Sequence, residues 1–153
     1  MDDSRILKGY HFLAQPYTDK DPKVMEERYE FVLKFLHVYH KPEYRLYFSP
    51  IVMCHNVAVR YDLPRDFEYW KLHNRIFMDS AIGMEVLCID GWDKSVGVRG
   101  ELEYMITKGK PIILSYFTDN HDPVPATKIE YNARKFETVQ EYMNKIYSRV
   151  HLE

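Results

Sequence analysis

The residues best suited to chemistry lie in the segment 91–101, directly after an apolar stretch of the chain. Glycines in this segment, Gly97 among them, let the backbone approach a ligand closely. A helix is predicted to begin here, and the first turn of a helix offers unpaired N–H groups and a positive dipole end to an anion. Ser95 adds a hydroxyl at the same helix start. Glu101 lies about one turn into the helix, where we expect the dipole to keep its carboxylate ionised, as a nucleophile requires.

The same spacing has a structural interpretation, in which a glycine-rich turn precedes a helix whose early glutamate simply suits the dipole. Spacing alone does not separate the two interpretations. Two other patterns favour a structural role more clearly. His37 and His40 lie near a predicted helix end with no third ligand at a predictable distance, so no metal site is expected. Cys54 and His55, taken as neighbours on a strand, point to opposite faces and make a poor thiol–imidazole pair.

Strand and helix signals alternate along the chain. Strands are predicted at residues 10–14, 46–48, 84–89 and 111–116, and helices at about 22–40, 66–81, 97–108 and from Thr138 onward, while 53–62 is ambiguous. This alternation, with short connections, predicts a single α/β domain over residues 1–153. We expect a doubly wound, mainly parallel sheet of four to five strands in the flavodoxin-like order 2-1-3-4-5, with helices on both faces.

Ligands of such sheets bind beyond the carboxyl ends of the strands, where the strand order reverses. In the predicted order, strands one and three are neighbours at that point. A site is therefore expected between the loop 91–101 and the loop 15–20, which contains Gln15, Pro16 and Tyr17. Arg28, on the first predicted helix, is close enough to the first loop to assist in binding a phosphate.

Composition and charge exclude several classes of protein. Lys and Arg number 21 against 23 Asp and Glu, and this net charge of −2 argues against a dedicated partner of nucleic acid polymers or membrane surfaces. Apolar runs stay short of the roughly 20 residues that span a bilayer, and the polar first residues are not typical of a signal peptide.

Two cysteines suit a reducing cytoplasm. The 13 Tyr, 8 Phe and 2 Trp fit a core and a subunit interface, or a pocket that stacks on flat ligands.

Several segments, in the same order, resemble the nucleoside 2-deoxyribosyltransferase-like superfamily. They are YHFLAQPY, FSPI at residues 48–51 together with His55 and the Trp70 region, MEVLCIDGW, and SVGVRGELEYMITKGKP. The resemblance covers roughly residues 10–116, and FSPI, His55 and the Trp70 region are similar to a small uncharacterised branch. It implies an enzyme of N-glycosidic bonds with a glutamate nucleophile on the helix after the third strand, and Glu101 matches that position.

The resemblance also implies a substrate class. Six residues before the nucleophile, transferases of free nucleosides typically carry an Asp, whereas related 2′-deoxynucleoside 5′-phosphate hydrolases carry a Ser that holds phosphate; this chain has Ser95. A serine hydroxyl at a helix start can donate to a phosphate that an aspartate would repel. Asn74 aligns with the family's acid for departure of the base, although an amide cannot give up a proton at neutral pH. Asp79 or another carboxylate would then substitute, or the base leaves with weaker help.

These features predict cleavage or transfer of the N-glycosidic bond of a (deoxy)nucleoside 5′-monophosphate, or less favourably of a nucleoside, through a glycosyl-enzyme on Glu101. Asn74 and His55 are expected to orient the sugar or base, and Tyr17 or Trp70 to cover the ring faces. Gln15 replaces a family glycine and offers its amide to the ligand instead. No cofactor is expected. The alternative is a non-catalytic nucleotide-binding or sensing module with the same pocket.

Relatives of this superfamily commonly pair subunits so that one completes the other's pocket. The resemblance therefore implies a homodimer or a higher homo-oligomer, and the aromatic C-terminal helix is the contact that the sequence favours. The expected location is the cytoplasm.

Overall fold

The computed structural model describes residues 9–132 and 138–148. The elements in chain order are β1 (His11–Ala14), α1 (Pro22–Tyr39), β2 (Tyr47–Phe48), α2 (Pro50–Arg60), α3 (Phe67–Ser80), β3 (Gly83–Cys88), α4 (Val96–Thr107), β4 (Ile112–Tyr116), β5 (Thr127–Tyr131) and α5 (Val139–Ser148). A short 3-10 turn, Trp92–Lys94, leads into α4. Within the described ranges, no helix combines the length and the apolar character needed to cross a membrane.

The five strands form one sheet in the order β2-β1-β3-β4-β5, which confirms the predicted order 2-1-3-4-5. The first four strands are parallel, and β5 runs antiparallel to β4. The parallel register places Phe12 opposite Met84 and Met84 opposite Ile112. The sequence does not predict β5 as a strand, because this edge strand is mostly exposed and lacks the apolar run of a buried parallel strand.

Two apolar cores cover the two faces of the sheet, because successive residues of a strand point to opposite sides. One core packs the sheet against α3, α4 and α5 through residues that include Phe12, Met78, Met84, Val86, Leu102 and Tyr142. The other packs it against α1 and α2 through residues that include Leu13, Phe31, Val32, Phe35, Ile51 and Leu87. Helices therefore lie on both faces, as a doubly wound fold requires.

Local signals set the ends of the helices that flank the sheet. Asp21 caps α1 by accepting a hydrogen bond from the N–H of Lys23 at 2.9 Å, with a proline at the next position. Ser95 caps α4, where its Oγ accepts from the N–H of Val98 at 3.2 Å. Gly109 follows α4 with a φ of 72°, a left-handed conformation that glycine adopts without strain. Asp21-Pro22 and Gly109 are residue types typical of a helix start and a helix end.

The ambiguous segment 53–62 lies largely in α2. Ser49 caps this helix through its side chain, and Pro50 takes the first helical position. Cys54 and His55 therefore lie on a helix, and both line the cleft described below. The prediction that they face opposite sides is wrong, because it depended on strand geometry.

The helix α3 turns a partly polar stripe toward the core. Asn74 and Met78, four residues apart, are its buried residues. Ile76 of the same helix is 68% exposed. Burial of the amide in place of the isoleucine indicates that this face serves something other than packing alone.

Glu85, in the middle of β3, is fully buried and held by charged and polar side chains from three other parts of the sheet. Its carboxylate lies 2.9 Å from Nη1 of Arg45 and 3.4 Å from Nζ of Lys128. The hydroxyls of Tyr47 and Ser115 each donate to it at 2.9 Å. The network links β2, β3, β4 and β5, and it compensates a charge that would otherwise be costly to bury.

Candidate active site

A cleft of about 450 Å³ lies beside the carboxyl ends of β1 and β3, which are neighbours in the sheet. Its lining includes Gln15, Tyr17, Cys54, His55, Arg65, Trp70, Asn74, Lys94, Ser95, Gly97 and Glu101. The structure thus brings together eight of the ten site residues named from the sequence. Within the described part of the chain, Pro16 and Arg28 lie outside this lining.

Glu101 places a buried carboxyl group in the wall of the cleft. The residue is only 6% exposed. Burial raises the pKa of this carboxyl to about 8, while the hydrogen bond from Asn74 acts in the opposite direction. The expectation that the helix dipole keeps Glu101 ionised is therefore wrong. Burial opposes the charged form of this carboxyl, so the protonated form is favoured at neutral pH.

Asn74 lies between Glu101 and His73. Its Nδ2 donates to Oε2 of Glu101 at 3.4 Å, and its Oδ1 lies 3.0 Å from Nδ1 of His73. An N–H donor at this place stabilises the ionised carboxylate, but an amide supplies no proton to a leaving group. Asp79 does not replace it as the acid, because it accepts from the hydroxyl of Tyr104 at 2.6 Å and lies outside the cleft lining in the described ranges.

The start of α4 forms one part of the cleft, through Ser95, Val96 and Gly97. The Oγ of Ser95 already accepts the capping hydrogen bond, and its own hydrogen is left to donate. Two cationic side chains, Arg65 and Lys94, line the same cleft. The Nε of Arg65 is buried and has no hydrogen-bond partner among the residues that the structure describes. The cleft therefore offers donors and positive charge suited to an anion.

Tyr17 and His55 line another part of the cleft and form a hydrogen-bonded chain with Glu26, which lies outside the lining in the described residues. His55, 4% exposed, contacts the hydroxyl of Tyr17 through Nδ1, and its Nε2 lies 2.9 Å from Oε2 of Glu26. Since a carboxylate only accepts, Nε2 carries a hydrogen. The ring of Tyr29 stacks on His55 with the centroids 4.1 Å apart, which fixes the plane of the imidazole.

The side chain of Gln15 is hydrogen-bonded to the main chain of Arg28. The Nε2 of Gln15 donates to the main-chain oxygen of Arg28 at 2.7 Å. The guanidinium of Arg28 donates to the main-chain oxygens of Tyr17 at 3.2 Å and Asp90 at 3.3 Å, so it ties the two loops together. The Oε1 of Gln15 is buried without a partner in the described part of the chain, and this residue lines the cleft.

Gly100 allows α3 and α4 to close one wall of the cleft. A Cβ at this position would lie 2.5 Å from Cζ of Phe67, so a larger residue would force the helices apart. Trp70, nearly one turn further along α3, donates from Nε1 to the main-chain oxygen of Pro64 at 2.7 Å. The indole is held in place and contributes an aromatic surface to the cleft.

Three charged residues that are important to the account of this site, Glu26, Arg65 and Lys94, are missing from the site predicted from sequence. Glu26 resembles the solvated face of α1, and Arg65 lies in the connection between α2 and α3, where no local pattern marks it. The sequence does mark Lys94, because a cation directly before Ser95 at a predicted helix start favours an anion site. Only the tertiary fold brings the first two to the site.

No curated protein shows a significant match to this chain. The sequence profile of one family, described as a domain of unknown function (DUF1937), matches residues 9–116. This span contains the four parallel strands and all residues of the cleft. Because the match covers more than half of the chain, the protein belongs to the DUF1937 family.

Proposed function

We propose that this protein cleaves the N-glycosidic bond of a (deoxy)nucleoside 5′-monophosphate through a covalent glycosyl-enzyme on Glu101. One observation carries the proposal. A buried carboxyl group on α4 borders a cleft of about 450 Å³ that also contains the start of that helix and two cationic side chains. The volume is in the range of small-molecule sites, and a nucleophile next to an anion-binding helix start suits a phosphorylated sugar.

In the proposed reaction, an oxygen of Glu101 attacks C1′ of the sugar from the face opposite the base. The O–C1′ bond forms as the C1′–N bond breaks, and the electron pair leaves with the base. The carboxyl must first lose the proton that burial holds on it at neutral pH. The N–H of Asn74 assists because it favours the ionised form. Water, or a second base in a transfer, then bonds to C1′ as the bond from C1′ to Glu101 breaks with its electron pair on the carboxylate. The proton that the incoming group loses balances the one that the departing base takes up.

The 5′-phosphate is proposed to bind at the start of α4. The N–H groups of Val96 and Gly97 and the hydroxyl of Ser95 would donate to its oxygens. Arg65 and Lys94 would supply charge, and the buried Nε of Arg65 would gain an acceptor. A free nucleoside carries no charge to pair with Arg65 and Lys94, so we favour the monophosphate.

The sugar and base are proposed to lie against Gln15 and the aromatic side chains. The unpartnered Oε1 of Gln15 is costly to bury, and a hydroxyl or N–H of the ligand would remove that cost. Trp70 presents a ring surface that suits a flat base.

A panel of nucleosides and their 5′-monophosphates, in ribo and deoxy forms, tests the proposal when free base is separated by chromatography. We expect base release from at least one monophosphate with the wild type and the Glu103→Gln control, which alters an exposed glutamate of the same helix. Glu101→Gln should release none. Release from free nucleosides alone would contradict the phosphate assignment. No release from any compound would contradict the reaction.

A second candidate function is nucleotide binding without turnover. Two observations favour it: Asn74 has no proton to give, and the pKa of Glu101 near 8 leaves most of this carboxyl protonated at neutral pH. Thermal unfolding with the same panel separates the two functions, because a ligand that binds the native state raises its stability. Stabilisation without base release would favour a binding or sensing module.

We also propose that the protein forms a homodimer through the exposed faces of α2 and α3. Exposed apolar side chains recur there at helical spacing: Met53 and Val57 on α2, and Tyr69, Leu72 and Ile76 on α3. The C-terminal helix favoured by the sequence uses its apolar face within the chain, since Tyr142, Met143 and Ile146 are buried in its own core. Light scattering should find a wild-type dimer and a Leu72→Glu monomer. A wild-type monomer at high concentration would contradict the proposal.

The proposed location is the cytoplasm, with a role in nucleotide metabolism. Cys54 and Cys88, the two cysteines of the chain, are thiols rather than a disulfide in the part that the structure describes. A reducing compartment maintains cysteines in that state.

A further inference from the structure

The geometry points to Tyr17, His55 and Glu26 as a proton relay that protonates the departing base and so replaces the acid that is missing at Asn74. The inference rests on the proposed N-glycosidic reaction. It assigns a chemical role to the hydrogen bonds that join Tyr17 in the cleft to the half-exposed Glu26.

A base leaves poorly as an anion, so the reaction benefits from a positioned proton donor. Among the cleft-lining residues that the structure describes, few groups fit this role. Asp66 and Glu68 are exposed at the rim, and Glu68 pairs with Lys71 at 2.6 Å. Glu101 is the proposed nucleophile, so it does not also serve as the acid in the same step. Lys94 is assigned to the phosphate, and the thiol of Cys54 is a weak hydrogen-bond donor. We therefore assign the role to the hydroxyl of Tyr17, which is coupled to His55.

The three side chains are ordered as a relay requires. His55 is buried, and its two ring nitrogens face Tyr17 on one side and Glu26 on the other. The ring of Tyr17 meets the imidazole edge-on, with the centroids 5.5 Å apart and the planes at 88°. The side chain of Glu26 is 57% exposed. The relay therefore runs from the cleft to bulk water, from which it can take up a new proton.

In the first step His55 carries protons on both ring nitrogens, and the Glu26 carboxylate compensates its charge. An oxygen of Glu101 bonds to C1′, and the C1′–N bond breaks with its electron pair on the base. The hydroxyl of Tyr17 gives its proton to the base nitrogen and takes the Nδ1 proton of His55. The base leaves protonated, and His55 is left neutral with its Nε2–H on Glu26.

In the second step the relay runs backward, as a retaining mechanism requires. Water occupies the place of the departed base and attacks C1′. Its proton passes to the oxygen of Tyr17 while the hydroxyl proton of Tyr17 returns to Nδ1 of His55. The bond from C1′ to Glu101 breaks with its electron pair on the carboxylate, and the starting charges are restored.

A pair of substrates tests the relay. One is the nucleoside monophosphate cleaved best in the panel, whose base needs a proton. The other is 4-nitrophenyl 2-deoxyribofuranoside 5-phosphate, whose nitrophenolate leaves without one. The variants are Tyr17→Phe, which removes only a hydroxyl, His55→Gln and Glu26→Gln. Tyr39→Phe is the matched control, because it removes a hydroxyl from a tyrosine of α1 that lies outside the cleft lining in the described residues.

We expect Tyr17→Phe and His55→Gln to lose at least about 100-fold in kcat on the nucleotide and less than about fivefold on the nitrophenyl compound. Glu26→Gln should show a smaller loss with the same selectivity, and Tyr39→Phe should match the wild type. Equal losses on both substrates would make these residues structural and overturn the relay, as would no loss on the nucleotide. Wild-type inactivity on both substrates would instead refute the proposed function. Thermal unfolding confirms that each variant is folded.

Discussion

The side chains of Asn74 and Glu101 are hydrogen-bonded across 3.4 Å, from Nδ2 to Oε2, in a place where both residues are buried. Two helices that are separate in the sequence, α3 and α4, supply them. The amide therefore acts on the ionisation of a carboxyl group that water hardly reaches. Burial raises the pKa of Glu101, and this one hydrogen bond lowers it.

Replacing Asn74 with alanine should raise the pKa of Glu101 further, because the donor that favours the ionised form is lost. The rising limb of kcat/KM against pH, measured on the nitrophenyl compound, should move to higher pH than in the wild type. His73→Gln, which keeps a donor beside Oδ1 of Asn74, should shift it less. A limb that stays in place in a folded Asn74→Ala protein would show that the hydrogen bond has no effect on ionisation.

The wild type itself should be more active at mildly alkaline pH on the nitrophenyl compound. Attack needs the ionised carboxylate, and the pKa of Glu101 is raised to about 8 by burial. The value of kcat/KM should therefore rise with pH and level off above about 8, since this substrate requires no acid. A rate that falls between pH 6 and 8 would assign Glu101 the role of acid instead of nucleophile.

The buried carboxyl should also make stability depend on pH. Glu101 has a pKa of about 8 in the folded protein and about 4.3 in an unfolded chain. Between these values the folded state holds more protons, so the free energy of unfolding falls as pH rises, by up to about 1.4 kcal/mol per pH unit. Glu101→Gln should flatten this slope between pH 5 and 8, as measured by urea unfolding. The control Glu103→Gln should keep it, and an equal slope in both variants would refute the assignment.

Glu85 should contribute to stability rather than to the reaction. Its replacement by glutamine removes a buried charge that Arg45 and Lys128 both contact, and we expect a loss of about 2–4 kcal/mol in the free energy of unfolding. Glu130→Gln, on the exposed edge strand, should cost less than about 0.5 kcal/mol. A Glu85→Gln protein as stable as the wild type would show that the charge network is dispensable.

Much of the fold follows from local signals in the sequence. The Asp21 cap and the left-handed Gly109 each mark a helix end within a few residues, and these marks suffice to order the elements. The segment after Ser49-Pro50 is harder, because the same dipeptide can end a strand or begin a helix. The edge strand β5 escapes prediction since exposure removes its apolar pattern.

The site is predictable where it is contiguous in the sequence. Ser95, Gly97 and Glu101 lie on one turn and helix, so their spacing fits an anion site next to a carboxylate as well as an ordinary helix start. The contact between His55 and Glu26 joins residues 29 positions apart, and no local pattern marks it. The ionisation of Glu101 also depends on burial, which the packing of α3 against α4 decides.

Trapping of the covalent intermediate tests the central claim most directly. The protein is incubated with a 2-deoxy-2-fluoro analogue of the nitrophenyl compound, whose fluorine slows release of the sugar, and is then digested with trypsin. We predict a mass increase equal to the fluorosugar phosphate on the peptide 100–108, with fragmentation assigning it to Glu101 rather than Glu103. Release of nitrophenol by the wild type with no adduct on Glu101 would contradict the account. Turnover by Glu101→Gln at the wild-type rate would contradict it as well.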